Sequence, residues 1–219
     1  METEYGKVKL IGKIDRVDCY GGYALVIDYK SFRSADISIG DVYFGKKIQL
    51  YTYLNALCSE KGLSPAGAFY LPLFNAYTSA ASDSRYKLKG QVLCDKDIIK
   101  AIDSECYDKS VSILDLSVKQ NGEFNDKEDL ISSDDFKTIM NYSKKIAIKG
   151  VELIEKGFIK ASPVKDKCKV CDYYEICKRR GEDERVLPNV KIDVLTSENE
   201  SSATEASAQG DDLIATKSN

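Results

Sequence analysis

The sequence predicts an α/β fold, and three observations support this prediction. Two strand-like stretches flank a Tyr20-Gly21-Gly22 turn near the start of the chain. Apolar residues with helical spacing follow in residues 42–62, and a further strand-like run begins at Gly67. A longer helical pattern starts at Ser133. Strand signals interspersed with helical ones are typical of a sheet with helices packed on it.

The first two predicted strands form a hairpin. Apolar residues alternate with lysines over residues 7–14, and Tyr23 to Ile27 is a short apolar run. Glycines in the intervening turn supply the positive backbone angles that a tight strand connection requires. We therefore expect Asp15 near the end of the first strand and Asp28 at the end of the second.

Asp15, Asp28 and Lys30 are the first candidate site. Side chains two apart in a strand point the same way, so Asp28 and Lys30 should share a face. Carboxylates are the hard ligands that Mg²⁺ and Mn²⁺ prefer, and such a metal can activate water for phosphodiester hydrolysis. A nearby ammonium can hold that water or balance charge on the phosphate. The pattern is typical of a metal-dependent nuclease, whereas the structural alternative is a solvated Asp15 and a strand-end Asp-x-Lys at Asp28 and Lys30.

The third element begins at Val42 and includes a predicted helix around Gln49. Its apolar face is formed by Ile48, Tyr51, Leu54, Leu57 and Cys58, and Gly62 is the expected terminator. Gln49 and Tyr53 are four residues apart and so share another face of this helix. They are either further site residues or an ordinary amphipathic pair.

The remaining predicted elements are further strands and two helices. Residues 67–73 should form a strand of the sheet, and their proline indicates an edge strand or a strand end. Residues 86–93 are expected to form a short extended piece, and residues 111–116 a further strand or extended segment. Residues 97–102 are expected to form a short helix. The long helix should begin at Ser132 or Ser133 as its cap and end at Gly157.

Together these stretches resemble the RecB-family nuclease domain of the PD-(D/E)xK superfamily, and in particular the nucleases of AddAB-type helicase/deoxyribonucleases. Those sequences carry similar G-x-I-D-R-x-D, I-D-Y-K-S and V-Y-x-G-x-x-x-Q-L-x-x-Y-L motifs, here in residues 12–18, 27–31 and 42–54. The resemblance implies a restriction-endonuclease-like core over residues 6–160. It also implies that Asp15 and Asp28 bind metal, that Lys30 assists the water, and that Gln49 and Tyr53 support the site or contact DNA.

The resemblance further implies a biological setting. Mg²⁺, with Mn²⁺ as a substitute, would support cleavage of single-stranded DNA delivered by an AddA-like helicase-nuclease subunit in the cytoplasm. The expected role is 5′-to-3′ exonuclease action in double-strand break repair by homologous recombination. Two alternatives remain: a stand-alone nuclease of the CRISPR-adaptation type, and a catalytically incomplete nuclease fold that serves as a DNA-binding or assembly module.

Three of the seven cysteines are concentrated at Cys168, Cys171 and Cys177. The chain has no signal peptide and an odd number of cysteines, which favours metal binding over disulfides. Zinc and a four-iron four-sulfur cluster each usually take four ligands. The resemblance implies the cluster, because related nucleases use this C-x₂-C-x₅-C arrangement, and zinc is the alternative. We assign the cysteine segment to residues 161–180.

Two expected ligands are absent upstream of the first motif. The eleven residues before Gly12 contain no cysteine that could be the fourth cluster ligand, and the chain contains no histidine. Glu2 and Glu4 are the only acidic residues before that motif, so the upstream metal ligand is left unassigned. The other cysteines, at positions 19, 58, 94 and 106, are expected to be small buried side chains. The chain is then either a C-terminal fragment of a longer protein or a shortened homologue.

The net charge of −3 conceals a division along the chain. Residues 143–180 contain eleven Lys and Arg against five Asp and Glu, whereas residues 181–219 contain three against nine. The basic residues of the cysteine segment could contact phosphates or could simply be solvated: Lys165, Lys167, Lys169, Lys178, Arg179 and Arg180. Residues 181–219 are expected to form an acidic, disordered tail. The sequence contains neither a membrane segment nor a phosphate-binding glycine loop, so ATP binding would need a different protein or domain.

Overall fold

The computed structural model describes residues 2–31, 36–73, 86–108, 111–114, 116, 118–119, 121–124, 129–177 and 184–199. Seven strands are present in this part of the chain: β1 (Glu2–Thr3), β2 (Gly6–Lys7), β3 (Arg16–Tyr20), β4 (Tyr23–Lys30), β5 (Ser64–Pro72), β6 (Lys89–Leu93) and β7 (Leu130–Ile131). The labelled helices are α1 (Ile39–Tyr43), α2 (Gln49–Lys61), α3 (Lys96–Ile102), α4 (Ser133–Glu155) and α5 (Tyr174–Cys177), and residues 192–199 are also helical. None of the helices described is both long and apolar enough to cross a membrane.

A mixed five-stranded sheet in the order β3-β4-β5-β6-β7 is the centre of the fold. β3 and β4 are antiparallel, β4 and β5 are parallel, and α1 and α2 form the crossover between that parallel pair. β5 pairs antiparallel with β6, which is parallel to β7. The predicted α/β class is therefore confirmed, and the mixed sheet is consistent with a PD-(D/E)xK core.

The β3–β4 hairpin turns at the predicted glycines. Tyr20 pairs with Tyr23, and both glycines between them have positive φ, 56° for Gly21 and 84° for Gly22. Two successive positive φ angles give a turn whose twist matches that of the flanking strands. The predicted hairpin is confirmed, but its first strand is not where the lysine alternation placed it. Residues 8–14 form no strand, because no neighbouring strand in the described chain pairs with them.

α2 packs on one face of the sheet and ends as predicted. Its buried side chains are Leu50, Tyr51, Leu54, Leu57 and Cys58, and Gly62 ends it with a left-handed φ of 66°. The motif that begins at Val42 spans two helices, and the predicted helical face falls on the second of them. A turn at 44–48 separates α1 from α2, because Gly45 is left-handed and the amides of Lys46 and Lys47 donate to the carbonyl of Asp41.

α4 packs against α2 and closes the core. Ser132 caps its N-terminus reciprocally with Asp135, and the left-handed Gly157 follows its end, both in agreement with the predicted bounds. Fully buried Phe136 and Ile139 lie on its inner face. The same core includes apolar residues from β4, β5, β6 and α3.

The later sheet predictions had mixed outcomes. β5, β6 and α3 were anticipated within a few residues, and Pro72 is the last residue of a central strand. Residues 111–116 were expected to form a further strand or extended segment, and in their described part a single bridge joins Leu114 to Leu88 without a strand. The segment is held instead by the buried side chain of Asp103. Its carboxylate accepts hydrogen bonds from the Ser112 hydroxyl and from the amides of residues 113 and 114.

The expected disordered tail needs correction for residues 184–199. Residues 192–199 are helical, and within them Leu195 is fully buried in the core. Val190, just before this helix, is also buried. A few well-placed apolar side chains order this segment despite its polar composition. Residues 181–183 and 200–219 lie outside the described residues.

Candidate active site

The open end of the β3–β4 hairpin brings the two predicted aspartates together. Arg16 pairs with Ile27, so Asp15 and Asp28 occupy the next position along the ladder. Asp15 therefore lies just before the start of its strand, not near its end as predicted. Its Oδ2 accepts a hydrogen bond of 3.1 Å from the amide of Tyr29. This bond ties the exposed Asp15 to the strand that carries Asp28.

Asp28 and Lys30 lie on the same face of β4, as their spacing predicted. Nζ of Lys30 is 2.5 Å from Oδ2 of Asp28. The aspartate is 4% exposed, and this Oδ2 accepts no hydrogen bond of good geometry within the described residues. A buried carboxylate is costly unless its charge is compensated. The ammonium of Lys30 supplies part of that compensation at the same oxygen.

The donor chemistry at this position fits a hard divalent cation. Mg²⁺ is commonly bound by one or two carboxylates, with water and substrate phosphate as its other ligands. Asp15 and Asp28 supply two such carboxylates. Within the described residues, no group of three or more His, Cys, Asp or Glu side chains could hold a metal ion. The upstream ligand position, which the sequence left unassigned, is therefore not filled by Glu2 or Glu4 in the described residues.

The first two turns of α2 extend the contacts of Lys30. Gln49 Oε1 accepts a long hydrogen bond of 3.5 Å from Lys30 Nζ. Gln49 Nε2 donates to the hydroxyl oxygen of Tyr53 at 3.2 Å. The structure thus joins four of the five predicted site residues in one chain of contacts, in the order Asp28, Lys30, Gln49, Tyr53.

Tyr70 is a site neighbour that the sequence did not reveal. It lies on β5 opposite Asp28, and Lys30 Nζ is 5.0 Å from the centre of its ring. Burial raises the pKa of Tyr70 to about 12, with a further contribution from the negative charges of Asp28 and Asp41. The phenol is therefore protonated at neutral pH. Its position depends on the parallel pairing of β4 with β5, which no local pattern specifies.

Gly12 lies in close contact with the ring of Tyr53. A Cβ built on Gly12 would lie 2.6 Å from Cε1 and 2.8 Å from the hydroxyl oxygen of Tyr53. Real Cβ atoms do not approach other atoms this closely, so any side chain at position 12 would displace the ring. The glycine of the first motif therefore has a structural role at the site, because it allows residues 8–14 to pack against α2.

A cleft of about 1020 Å³ opens beside these residues, between residues 10–14, α2 and α4. Lys30, Gln49 and Tyr53 line it, as do three further lysines, Lys46, Lys47 and Lys149. Among the described residues, no carboxylate lines it, and Asp15 and Asp28 adjoin it without forming part of its wall. Such a surface suits a polyanion that must approach the two aspartates.

Asp41 compensates two of the cleft lysines. It lies 2.7 Å from Lys46 Nζ and 3.6 Å from Lys47 Nζ. Burial acts to raise the pKa of Asp41, but the hydrogen bond from Lys46 and the other contacts prevail and lower it. Asp41 is therefore charged at neutral pH, and Lys149 is the cleft lysine that makes no ion pair within the described residues.

The cysteine segment consists of two adjoining helical turns. Cys168 begins a 3-10 turn at Cys168–Val170, Cys171 follows it, and Cys177 ends α5. Cys171 and Cys177 are exposed and Cys168 is half-buried. These thiols do not form a recognisable metal-binding group in the described chain. The predicted cluster is therefore unsupported by the geometry.

The other cysteines divide into two pairs. Cys58 and Cys106 are buried, in agreement with the expectation for small apolar side chains. Cys19 and Cys94 are exposed, so that expectation is wrong for them. Cys19 lies on the edge strand β3, and Cys94 follows the end of β6. Both positions are at the margin of the sheet.

The basic residues of the cysteine segment lie on its surface where they are described. Lys165, Lys167 and Lys169 are exposed, and Lys169 pairs with Asp166 at 2.6 Å. Residues 178–180 lie outside the described residues. A phosphate contact by these residues stays a prediction.

Comparison with known proteins identifies the family. Residues 1–178 match the family model of the PD-(D/E)XK nuclease superfamily, and the chain belongs to that superfamily. Its similarity extends to proteins named as the B subunit of an ATP-dependent helicase/deoxyribonuclease. The protein of that name from Alkaliphilus oremlandii (strain OhILAs) is 35% identical over 203 residues, which cover 81% of this chain and 18% of that protein.

Two further relatives of the same name agree. The protein from Clostridium tetani (strain Massachusetts / E88) is 34% identical over 197 residues, and the one from Bacillus cereus (strain Q1) is 28% identical over 199 residues. Each alignment covers 78% of this chain and 17% of the relative. The chain therefore spans less than a fifth of the length of these relatives.

Proposed function

We propose that this chain is the DNA-cutting domain of an AddAB-type helicase-nuclease and that it hydrolyses phosphodiester bonds of single-stranded DNA. The observation that carries the proposal is the continuous set of contacts from Asp28 through Lys30 and Gln49 to Tyr53, beside a lysine-lined cleft. Membership of a nuclease superfamily gives this arrangement its chemical interpretation.

Each residue has a distinct part in the proposed reaction. Asp15 and Asp28 would hold Mg²⁺ or Mn²⁺, which when bound polarises the phosphate and lowers the pKa of an attacking water. The Lys30 ammonium orients that water and balances the negative charge that develops on the phosphate. Gln49 holds Lys30 in position, and Tyr53 holds Gln49. Protonated Tyr70 supplies a neutral ring beneath the ammonium.

The proposed partner is an AddA-like helicase-nuclease subunit. The relatives are named as parts of an ATP-dependent helicase, and this sequence has no phosphate-binding glycine loop. A motor elsewhere in the assembly would therefore separate the strands. We propose that the domain then cuts the 5′-ended strand as an exonuclease during double-strand break repair by homologous recombination.

The activity of the isolated chain tests the central proposal. We expect Mg²⁺- or Mn²⁺-dependent cutting of end-labelled single-stranded DNA, no ATP hydrolysis, and little attack on blunt duplex, because nothing here opens a duplex. EDTA should stop the reaction. Gel analysis of 5′- and 3′-labelled strands reads out both activity and direction.

Two outcomes would favour the alternatives. No cutting with either metal would favour a catalytically incomplete DNA-binding or assembly module, an idea supported by the two-carboxylate ligand set of the described residues. Processive digestion of blunt duplex without ATP would favour a stand-alone nuclease of the CRISPR-adaptation type.

We also propose that Cys168, Cys171 and Cys177 bind a four-iron four-sulfur cluster whose fourth ligand is not supplied by this chain. This proposal is supported by the C-x₂-C-x₅-C spacing and by the exposure of two of the three thiols. Anaerobically purified chain should contain iron and acid-labile sulfide below stoichiometry, with rapid loss in air, because three thiolates leave one iron open to exchange. Metal and sulfide analysis measures this. Stoichiometric zinc without sulfide would instead establish the zinc alternative.

A further inference from the structure

A second cleft continues from the catalytic cleft along the other side of the N-terminal segment. Its volume is about 890 Å³, and residues 7–10, α2 and α4 surround it. The two clefts share Leu10, Thr52 and Ala56 as lining residues. A chain-like ligand that occupies the catalytic cleft can therefore extend into the second one without leaving the surface.

The charge of the second cleft is also positive. Lys7, Lys9 and Lys144 line it, and Glu2 is its single carboxylate in the described chain. Glu2 lies 3.8 Å from Lys7, so these two charges largely offset each other. Lys9 and Lys144 are exposed and make no ion pair within the described residues. The uncompensated charge of this cleft thus belongs to Lys9 and Lys144.

These lysines complement the one left unpaired in the catalytic cleft. In the catalytic cleft, Lys30 forms an ion pair with Asp28, and Asp41 forms ion pairs with Lys46 and Lys47. Among the residues that the structure describes, Lys149 is then the cleft lysine without an ion pair. Lys149 and Lys144 lie on α4, and Lys9 lies on the segment that faces it. The chain as a whole is acidic, so this positive surface is a local feature and not a consequence of net charge.

We propose that Lys9, Lys144 and Lys149, which we call the lysine track, bind the phosphate backbone of a single nucleic-acid strand that runs through both clefts. This proposal rests on the proposed function, which makes single-stranded DNA the substrate. It adds the path that the DNA follows across the surface. Of the described residues that line the second cleft, none is an aromatic on which a base could stack. Recognition there is therefore of the phosphates, independent of base sequence.

Binding of oligothymidylate to the full chain tests the track. We would compare the wild type with the Lys9→Ala/Lys144→Ala double variant, in EDTA, by fluorescence anisotropy across a salt series. With an oligomer of about twenty nucleotides, loss of two phosphate contacts should reduce the slope of log affinity against log salt by about 1.4. An oligomer of about four nucleotides, which can be held in the catalytic cleft alone, should bind both proteins equally.

A charge-matched variant controls for general electrostatics. Lys96→Ala/Lys100→Ala removes the same charge from α3, which packs near Leu25 on the face of the sheet opposite to Lys30. Its salt slope should equal that of the wild type. Equal losses in both double variants, or no loss in the track variant, would overturn the proposal. So would binding of poly-L-glutamate with the same strength and the same dependence on Lys9 and Lys144, since the track would then fit an acidic protein segment.

The result is separable from the cleavage test because EDTA prevents cutting. A chain that cuts DNA but shows an unchanged salt slope defeats the track alone. A chain that binds with the predicted slope change but never cuts defeats the proposed nuclease activity and leaves the track in place.

Discussion

Replacing Asp28 with asparagine should reduce metal-dependent DNA cleavage by at least roughly a thousandfold, which corresponds to about 4 kcal/mol of lost transition-state stabilisation. The amide preserves the shape of the side chain but removes the anionic oxygen that would bind the metal. It also removes the negative charge that forms the ion pair with Lys30, whose Nζ lies 2.5 Å from Asp28 Oδ2. Initial rates on labelled single-stranded DNA, measured in Mg²⁺ and in Mn²⁺, give the effect.

The control for this variant lies in the same hairpin. Asp18→Asn also removes a carboxylate, but Asp18 lies on the opposite face of the sheet, where Arg16 binds it at 2.7 Å. It should retain cleavage close to that of the wild type. Both variants should keep the folded circular-dichroism spectrum and most of the DNA affinity, because phosphate binding draws on dispersed lysines. Unchanged cleavage by a pure Asp28→Asn protein would defeat the assignment.

The same substitution distinguishes cutting from unwinding in a larger assembly. In a complex with an AddA-like subunit, it should leave ATP hydrolysis and strand separation intact and suppress cutting of one strand. Labels on each end of a duplex identify that strand, which is the 5′-ended strand if the proposed polarity holds. Equal loss of cutting on both strands would argue against this role.

Local patterns predicted the parts of the site that lie close together in sequence. The glycine pair specified the hairpin, and a spacing of two residues put Asp28 and Lys30 on one face. A spacing of four residues put Gln49 and Tyr53 on one helical face. Each of these relations depends only on backbone geometry within one element or one tight turn.

The parts that sequence reasoning missed depend on pairing between distant segments. Tyr70 reaches the site because β5 pairs parallel with β4 in one particular register. Lys149 reaches the catalytic cleft because α4 packs beside α2, about a hundred residues earlier in the chain. The lysine alternation at 7–14 misled for a related reason. Alternation describes which side chains face solvent, but a strand also needs a neighbour with which to pair.

Composition misled at the C-terminal end. Residues 181–219 are acidic and poor in large apolar side chains, which is typical of disorder. Leu195 nevertheless buries completely against the core. An average over a long segment hides a single residue that finds a matching apolar surface elsewhere in the fold.

Gly12→Ala should lower kcat for DNA cleavage by about a hundredfold, since a displacement of about 1 Å at a catalytic group has an effect of that order. The new methyl group would require the Tyr53 ring to move. Gln49 then loses its partner at 3.2 Å, and its contact with Lys30 loosens. KM and DNA affinity should change little, because phosphate contacts are made elsewhere. Steady-state kinetics separates these two parameters.

The best control is the other non-left-handed glycine of the same cleft. Gly150 lies within α4, and a Cβ there would meet nothing within 4 Å. Gly150→Ala should therefore leave kcat unchanged and stabilise the helix by roughly 0.5–1 kcal/mol. Loss of activity in both variants would point to a general sensitivity of the cleft, not to a contact between Gly12 and Tyr53.

A double variant shows whether Gly12 acts through Tyr53. Tyr53→Ala removes the ring and so lowers kcat by itself, but it also creates space for a methyl group at position 12. If Gly12 serves only to make room for the Tyr53 ring, adding Gly12→Ala to Tyr53→Ala should cause no further loss of kcat. The coupling between the two substitutions would then nearly equal the effect of Gly12→Ala alone, with opposite sign. A full additional hundredfold loss in the double variant would show that the alanine disturbs Asp15, three residues further along the chain, by a route that does not involve Tyr53.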